Sequence, residues 1–242
     1  MPHSPFQLFA IALEAAANGG EKRIFVQGPP GTGKTTFPVR YAASKGFLCY
    51  SMTCSEETSG QDIIGKYILK GQEGMVWADS PGLTAWRQSK KADVKGIVLV
   101  FNEIDKLGSD ALTQCYGLLD DPEIAMMTLP TNETIRPDQN KIIYVGTTNG
   151  SVDDLPEGLR SRFAIRIEIN RVNPEIAKGL PKELQTLLLN CYSNKDSHDP
   201  RAILAFHKLR LAKVDDEIAA TLVFGARARE VVNTIRAAAL VK

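Results

Sequence analysis

Gly28-Pro29-Pro30-Gly31-Thr32-Gly33-Lys34-Thr35-Thr36 comes just after an apolar run, Arg23-Ile24-Phe25-Val26, that reads as a short buried strand. A strand, a glycine-rich turn and a Lys-Thr pair opening a helix form a phosphate-binding loop in its expected setting. The glycines allow a sharp turn and bring bare backbone N–H groups against phosphate oxygens. A helix starting just after Gly33 adds unpaired N–H donors and a partial positive charge at the same spot. In this pattern Lys34 reaches the β- and γ-phosphates and the Thr35 hydroxyl ligates Mg²⁺. The stretch therefore predicts a nucleoside triphosphate as ligand, with Mg²⁺ as its companion.

The rest of the composition sets broad limits. A chain of 242 residues suits one large domain, or a large one with a small one. Lys and Arg total 29 against 28 Asp and Glu, so bulk charge gives no support to non-specific nucleic-acid binding. No stretch approaches the roughly eighteen consecutive apolar residues of a membrane span. No basic region precedes the first apolar residues and no cleavage site is evident, so no signal peptide is expected. Cys49, Cys54, Cys115 and Cys191 lack paired zinc spacing and read as free thiols of a reducing compartment. The cytoplasm is the expected location.

Strand and helix patterns alternate along the first two thirds. Residues 5–17 read as a helix stopped by Asn18-Gly19-Gly20, and another helix should run from the phosphate loop to Lys45, with Gly46 as its stop. Strands are expected at 47–52, 96–101, 141–147 and 163–169, and a helix at 109–119. Residues 56–95 are polar and glycine-punctuated, with apolar islands at 63–69 and 75–77. The fully apolar 96–101 run is the kind found at the centre of a parallel sheet. This alternation predicts an α/β fold, a three-layer α/β/α parallel sheet of the P-loop NTPase type. From about Asn170 the pattern turns helical, at 181–192, 200–211, 215–223 and 227–241. The domain expectation is 1–170 for the nucleotide-binding part and 171–242 for a small all-α lid.

Further polar residues stand where such a sheet would present them. The run Val100-Phe101-Asn102-Glu103-Ile104-Asp105 resembles a Walker B strand, whose acids hold Mg²⁺ and polarise the attacking water. Its first acid is replaced by Asn102, leaving Glu103 in the usual place. Asn102 carries no charge, so weaker Mg²⁺ dependence and slower turnover are expected, with nucleotide binding retained. Asp105 is open between a surface helix cap and an acid behind the site. Asn149, after Val145-Gly146-Thr147-Thr148, could bond the water or the γ-phosphate. Arg160 and Arg162, in Leu159-Arg160-Ser161-Arg162-Phe163, could be offered to a neighbouring subunit.

The order GPPGTGKTT, FNEID, GTTN, LRSRF and a helical tail resembles the AAA+ ATPases, most closely their MoxR-like and dynein-related group. The resemblance runs from about residue 5 to 242. It implies that Asn149 is sensor 1, that Arg162 is the preferred arginine finger with Arg160 beside it, and that Arg229 is sensor 2 with Arg227 in reserve. It also implies that residues around 62–65 and 129–137 form a helix-2 insertion and a hairpin facing the pore of a homo-oligomeric ring, commonly a hexamer. Such rings remodel protein substrates, and MoxR-like members often work with a von Willebrand A-domain protein. Two other readings stand beside this one. A nucleotide-gated scaffold with little hydrolysis rests on Asn102, and a nucleic-acid motor rests on the basic segments 66–70 and 87–95.

Overall fold

A computed structural model describes residues 3–121, 123–192 and 198–240. By their contacts they form two compact units, residues up to 28 with 34–168, and 29–33 with those from 169 onward.

The first unit opens with helix α1 (Pro5–Ala17). Ser4 caps it reciprocally: its hydroxyl accepts from the Gln7 N–H while the Gln7 side chain accepts from the Ser4 N–H. Strand β1 (Arg23–Gln27) leads to the phosphate loop and helix α2 (Thr36–Lys45), which stops at Gly46 in the left-handed conformation, φ 66°. Strand β2 (Leu48–Thr53) and the short helix α3 (Gly60–Ile64) come next. The apolar islands then resolve as an antiparallel hairpin of β3 (Gly65–Leu69) and β4 (Met75–Asp79). Helix α4 (Pro81–Ser89), strand β5 (Ile97–Asn102) and helix α5 (Ser109–Leu118) follow. A second small hairpin, β6 (Met127–Thr128) with β7 (Thr134–Ile135), precedes β8 (Ile142–Thr148). Helix α6 (Glu157–Arg162) and strand β9 (Ile165–Glu168) complete this unit.

Among the described residues the central sheet has the order β2-β5-β8-β1-β9, and every pairing in it is parallel. The inner strands are apolar on both faces because both faces are covered. Phe25, Ile97, Leu99, Phe101, Ile142 and Tyr144 enter one core with Leu83, Trp86 and Cys115 from α4 and α5. The alternation of strand side chains sends Ile24, Val98, Val100, Ile143 and Val145 to the other face, where α1 and α2 touch the sheet. Inside the first core the Trp86 indole N–H donates to the Tyr144 hydroxyl at 3.0 Å, giving two buried polar groups one shared bond. Gly146 on β8 is required by close approach: a Cβ there would stand 2.8 Å from Phe163 Cζ.

The second unit is helical. Helices α7 (Pro174–Ala177), α8 (Lys182–Leu189), α9 (Pro200–Leu211), α10 (Asp216–Phe224) and α11 (Ala228–Leu240) bury Leu184, Leu188, Ile203, Phe206, Val231 and Ile235. The sequence pattern does not reveal α7. The expected end of the last helix at Val241 lies outside the described residues. Among the described residues no helix is long and apolar enough to cross a membrane.

Candidate functional site

Strand register brings the polar residues to one edge. Gln27 pairs with Thr148, Phe101 with Gly146 and Thr53 with Asn102, so the chain leaves β1, β5 and β8 side by side at their C-terminal ends. Ligands gather at this edge in open parallel sheets. Lys34 lies here, 6% exposed, with its ammonium donating to the Gly28 carbonyl at 2.6 Å and to Asn149 Oδ1 at 2.9 Å. Asn149 Nδ2 in turn donates to Glu103 Oε1 at 3.0 Å, and Lys106 Nζ donates to Glu103 Oε2. A planar amide presents an acceptor to an ammonium and a donor to a carboxylate at once, which is what position 149 requires. Glu103 adopts the left-handed conformation, φ 55° and ψ 45°, at the start of the 3₁₀ turn Ile104–Lys106. A non-glycine residue there carries strain of about 1–2 kcal/mol, a cost found chiefly at functional positions.

A second cluster stands beside the first. Thr35 donates its hydroxyl to Asn102 Oδ1 at 2.6 Å, Thr147 reaches the same oxygen at 3.4 Å, and Asn102 Nδ2 donates to Ser51 Oγ at 3.0 Å. The Thr35 hydroxyl and the Asn102 carbonyl oxygen are hard donors. They fit a Mg²⁺ ion that keeps several waters and takes its compensating charge from phosphates rather than from position 102. Thr36 is the first residue of α2.

The loop residues 29–33 belong to the second unit by contact. Gly31 and Gly33 have φ of 76° and 103°, and Gly28, just before them, 144°. Thr32 ties the turn by donating to the Pro29 carbonyl at 3.0 Å. The Asn173 N–H donates to the Thr32 carbonyl at 3.3 Å, and the Tyr192 hydroxyl donates to the Pro30 carbonyl. A Cβ on Gly31 would lie 3.0 Å from Asp199 Oδ1. His198, next to Asp199, stands 3.5 Å from an Arg227 guanidinium nitrogen; burial and then the Arg227 charge hold its imidazole below the usual histidine range. Arg227 also lies 3.8 Å from Glu230. Arg229 is exposed and lines a different feature, a groove of 510 Å³ with Glu217, Thr221 and Arg236.

The arginines of α6 differ sharply. Arg162 is bound within its own unit: Nε and Nη2 donate to Asp120 Oδ1 at 3.1 and 2.5 Å, Nη1 to the Gly158 carbonyl at 2.8 Å, and the guanidinium lies 4.6 Å from the Tyr116 ring centre. Arg160 is more open, with Asp153 at 4.0 Å and 38% of its side chain exposed. Within the basic segments Lys66 pairs with Asp62, Lys70 with Glu73, and Arg87 with both Asp79 and Glu133, while Lys90, Lys91 and Lys95 are exposed. Asp105 is not a helix cap. It lies within the 3₁₀ turn, with Oδ1 buried and lacking a hydrogen-bond partner.

Sequence reading passed over Ser51, Thr147 and Lys106. Ser51 and Thr147 sit near the ends of strands flanking and including those that carry the site, where a hydroxyl is a signal in its own right. Lys106 stands three residues after Glu103, the spacing at which opposite charges meet across a helical turn.

The model of the AAA domain (dynein-related subfamily) matches residues 23–163, more than half of the chain. Protein NorQ of Paracoccus denitrificans is 32% identical over 124 residues, covering 51% of this chain and 42% of NorQ. The uncharacterized protein SH1500 of Staphylococcus haemolyticus is 27% identical over 173 residues, covering 69% of this chain and 62% of its own length. The chain thus spans less than two thirds of either relative. In fold it is similar to Thermotoga maritima RuvB, a Holliday junction branch migration motor, with a TM-score of 0.51, 20% identity, and coverage of 96% of this chain and 68% of RuvB. With Lys34, Thr35 and Glu103 at the C-terminal edge of a parallel sheet, the chain belongs to the dynein-related, MoxR-like AAA+ ATPases.

Proposed function

We propose that this protein hydrolyses ATP and uses the cycle, as a homo-oligomeric ring of hexameric type, to remodel a protein partner in the cytoplasm. The observation that carries the reading is the continuous Lys34–Asn149–Glu103 connection at the sheet edge. It joins the residue that would hold the terminal phosphates to the one that would polarise water, through a side chain able to report on the γ-phosphate. Thr35 and Asn102 would hold Mg²⁺, which neutralises phosphate charge when bound. Glu103 orients the water and Asn149 turns toward the γ-phosphate. Arg227 is the preferred lid arginine, since His198 and Asp199 connect it with Gly31, whereas Arg229 lines a separate groove. Arg160 is the preferred donor to a neighbouring subunit, because Arg162 is engaged by Asp120, Gly158 and Tyr116.

The β3–β4 hairpin supports the protein-remodelling part. It exposes Leu69 and Met75 beside the edge-on pair Tyr67–Trp77, a surface suited to gripping an extended chain. A von Willebrand A-domain protein is the partner class proposed. The local pairing of Lys66, Lys70 and Arg87 leaves the nucleic-acid motor with less support. Asn102 favours one second reading, a nucleotide-gated scaffold with little hydrolysis.

The test is ATP turnover by the purified chain as a function of its concentration. Turnover that rises with assembly, is lost in Glu103→Gln, and returns when Arg160→Ala is mixed with Glu103→Gln supports action between subunits. Tight ATP binding without turnover selects the scaffold.

A further inference from the structure

We propose that Lys106 is a positioning residue for the Glu103 carboxylate, an inference that rests on the hydrolytic reading above. Glu103 follows β5 in the left-handed conformation, at the start of the 3₁₀ turn that also holds Lys106. Its three side-chain torsions must then be fixed by partners, against the rotamer entropy that a long flexible side chain loses on ordering. Two partners are at hand. Asn149 holds Oε1 and Lys106 holds Oε2, so the carboxylate is gripped at both oxygens.

These anchors behave differently through a catalytic cycle. Asn149 also accepts from Lys34, and both have alternative partners once a terminal phosphate arrives. Lys106 belongs to the same 3₁₀ turn as Glu103, three residues on, and moves with it. It keeps one oxygen fixed while the other becomes available to water. The hydrogen bond to Glu103, reinforced by the glutamate's charge, raises the Lys106 ammonium above the ordinary lysine range, so the cationic form persists through neutral pH. Lys106 touches neither nucleotide nor water in this account; it acts through Glu103.

The test uses the full chain in four forms, native, Lys106→Met, Lys106→Arg and Glu103→Gln, and the double variant Lys106→Met with Glu103→Gln. Lys106→Met is expected to lower kcat by roughly ten- to a hundredfold, with KM and the affinity for a fluorescent ADP analogue within about threefold of native. Lys106→Arg should restore most of kcat. In the Glu103→Gln background the lysine substitution should cost nothing further, because nothing remains to be positioned. A native rate in Lys106→Met, or an equal loss in Lys106→Arg, overturns the proposal. So does a loss in Lys106→Met that appears equally in nucleotide affinity, which would mark a general structural role. Native turnover abolished by Glu103→Gln but indifferent to Lys106→Met overturns this proposal alone. Absence of native turnover despite nucleotide binding overturns the hydrolytic reading and this proposal with it.

Discussion

Replacing Asn149 by aspartate changes one NH₂ group to an oxygen and little in shape, which isolates what the amide contributes. The native side chain makes two hydrogen bonds to ionised partners, each of a class worth about 1.5–3 kcal/mol. Aspartate keeps the bond from Lys34. It reverses the other, setting a second carboxylate oxygen about 3.0 Å from Glu103 Oε1. Unit charges some 4 Å apart repel by about 1 kcal/mol in water and about 4 kcal/mol at an effective dielectric of 20. The Glu103 side chain is 32% exposed, so solvent screening selects the lower part of that range, about 1–2 kcal/mol. When nucleotide binds, the introduced carboxylate would face the third phosphate with the same unfavourable sign. ATP bears this penalty and ADP does not. The expected result is roughly a five- to thirtyfold loss of affinity for a non-hydrolysable ATP analogue, with ADP affinity within about threefold of native. Titration of both nucleotides against native, Asn149→Asp and Asn149→Ala measures it, and the alanine variant should discriminate less than the aspartate one because it adds no charge. Equal losses for ADP and the ATP analogue would refute the reasoning, since they would show that position 149 does not read the third phosphate.

Three further outcomes follow from the geometry. Asn102→Asp should tighten Mg²⁺ dependence and raise turnover, because it adds a negative charge beside the Thr35 hydroxyl, and Ser51 can rotate its hydroxyl to donate where Asn102 now donates to it; equal half-saturating Mg²⁺ for both chains would contradict this. Tyr144→Phe removes the acceptor of the buried Trp86 N–H and should cost about 1–3 kcal/mol of stability, read as a lowered Tm with little change in nucleotide affinity. Burial, reinforced by the charges of Asp105 and Glu103, pushes the Cys54 thiol up to about 12. An unfolded thiol ionises at about 8.5, so this contribution is complete below that pH and is lost as pH rises toward about 12. Denaturation midpoints of the native chain should therefore fall across that window more steeply than those of Cys54→Ala.

Much of the sheet is legible in the sequence because its signals are local. The apolar runs ending at Val26, Phe101 and Thr147 are strands that could be buried on both faces, and Gly46 can be recognised as a helix stop from its neighbours alone. The β3–β4 hairpin is legible only as two apolar islands, since its strands pair with each other outside the main sheet and expose several large side chains. Helix α7 has four residues and no period to read. At the site, residue types are legible where the chain is continuous, as from Gly28 to Thr36. Partner identities are not. That Thr35 meets Asn102, 67 residues away, and Lys34 meets Asn149, 115 away, depends on strand order and register, which no single stretch encodes. The arginines show the same limit: the family resemblance ranks Arg162 ahead of Arg160, and the contacts of Arg162 with Asp120 and Tyr116, distant in sequence, are not written in either arginine's own neighbourhood.

The contact between Gly146 and Phe163 gives this fold an evolutionary constraint as well as a packing one. The ring fills the volume that a side chain at 146 would need, so the two positions share one allotment of space. Enlarging residue 146 alone should be rejected, whereas enlarging it together with a smaller residue at 163 should be tolerated better than either change alone. Residue 146 lies three positions before Asn149, and residue 163 directly follows Arg162. A drifting lineage must therefore alter the strand that carries the amide and the helix that carries the arginines in concert, and the two are expected to diverge as a matched pair.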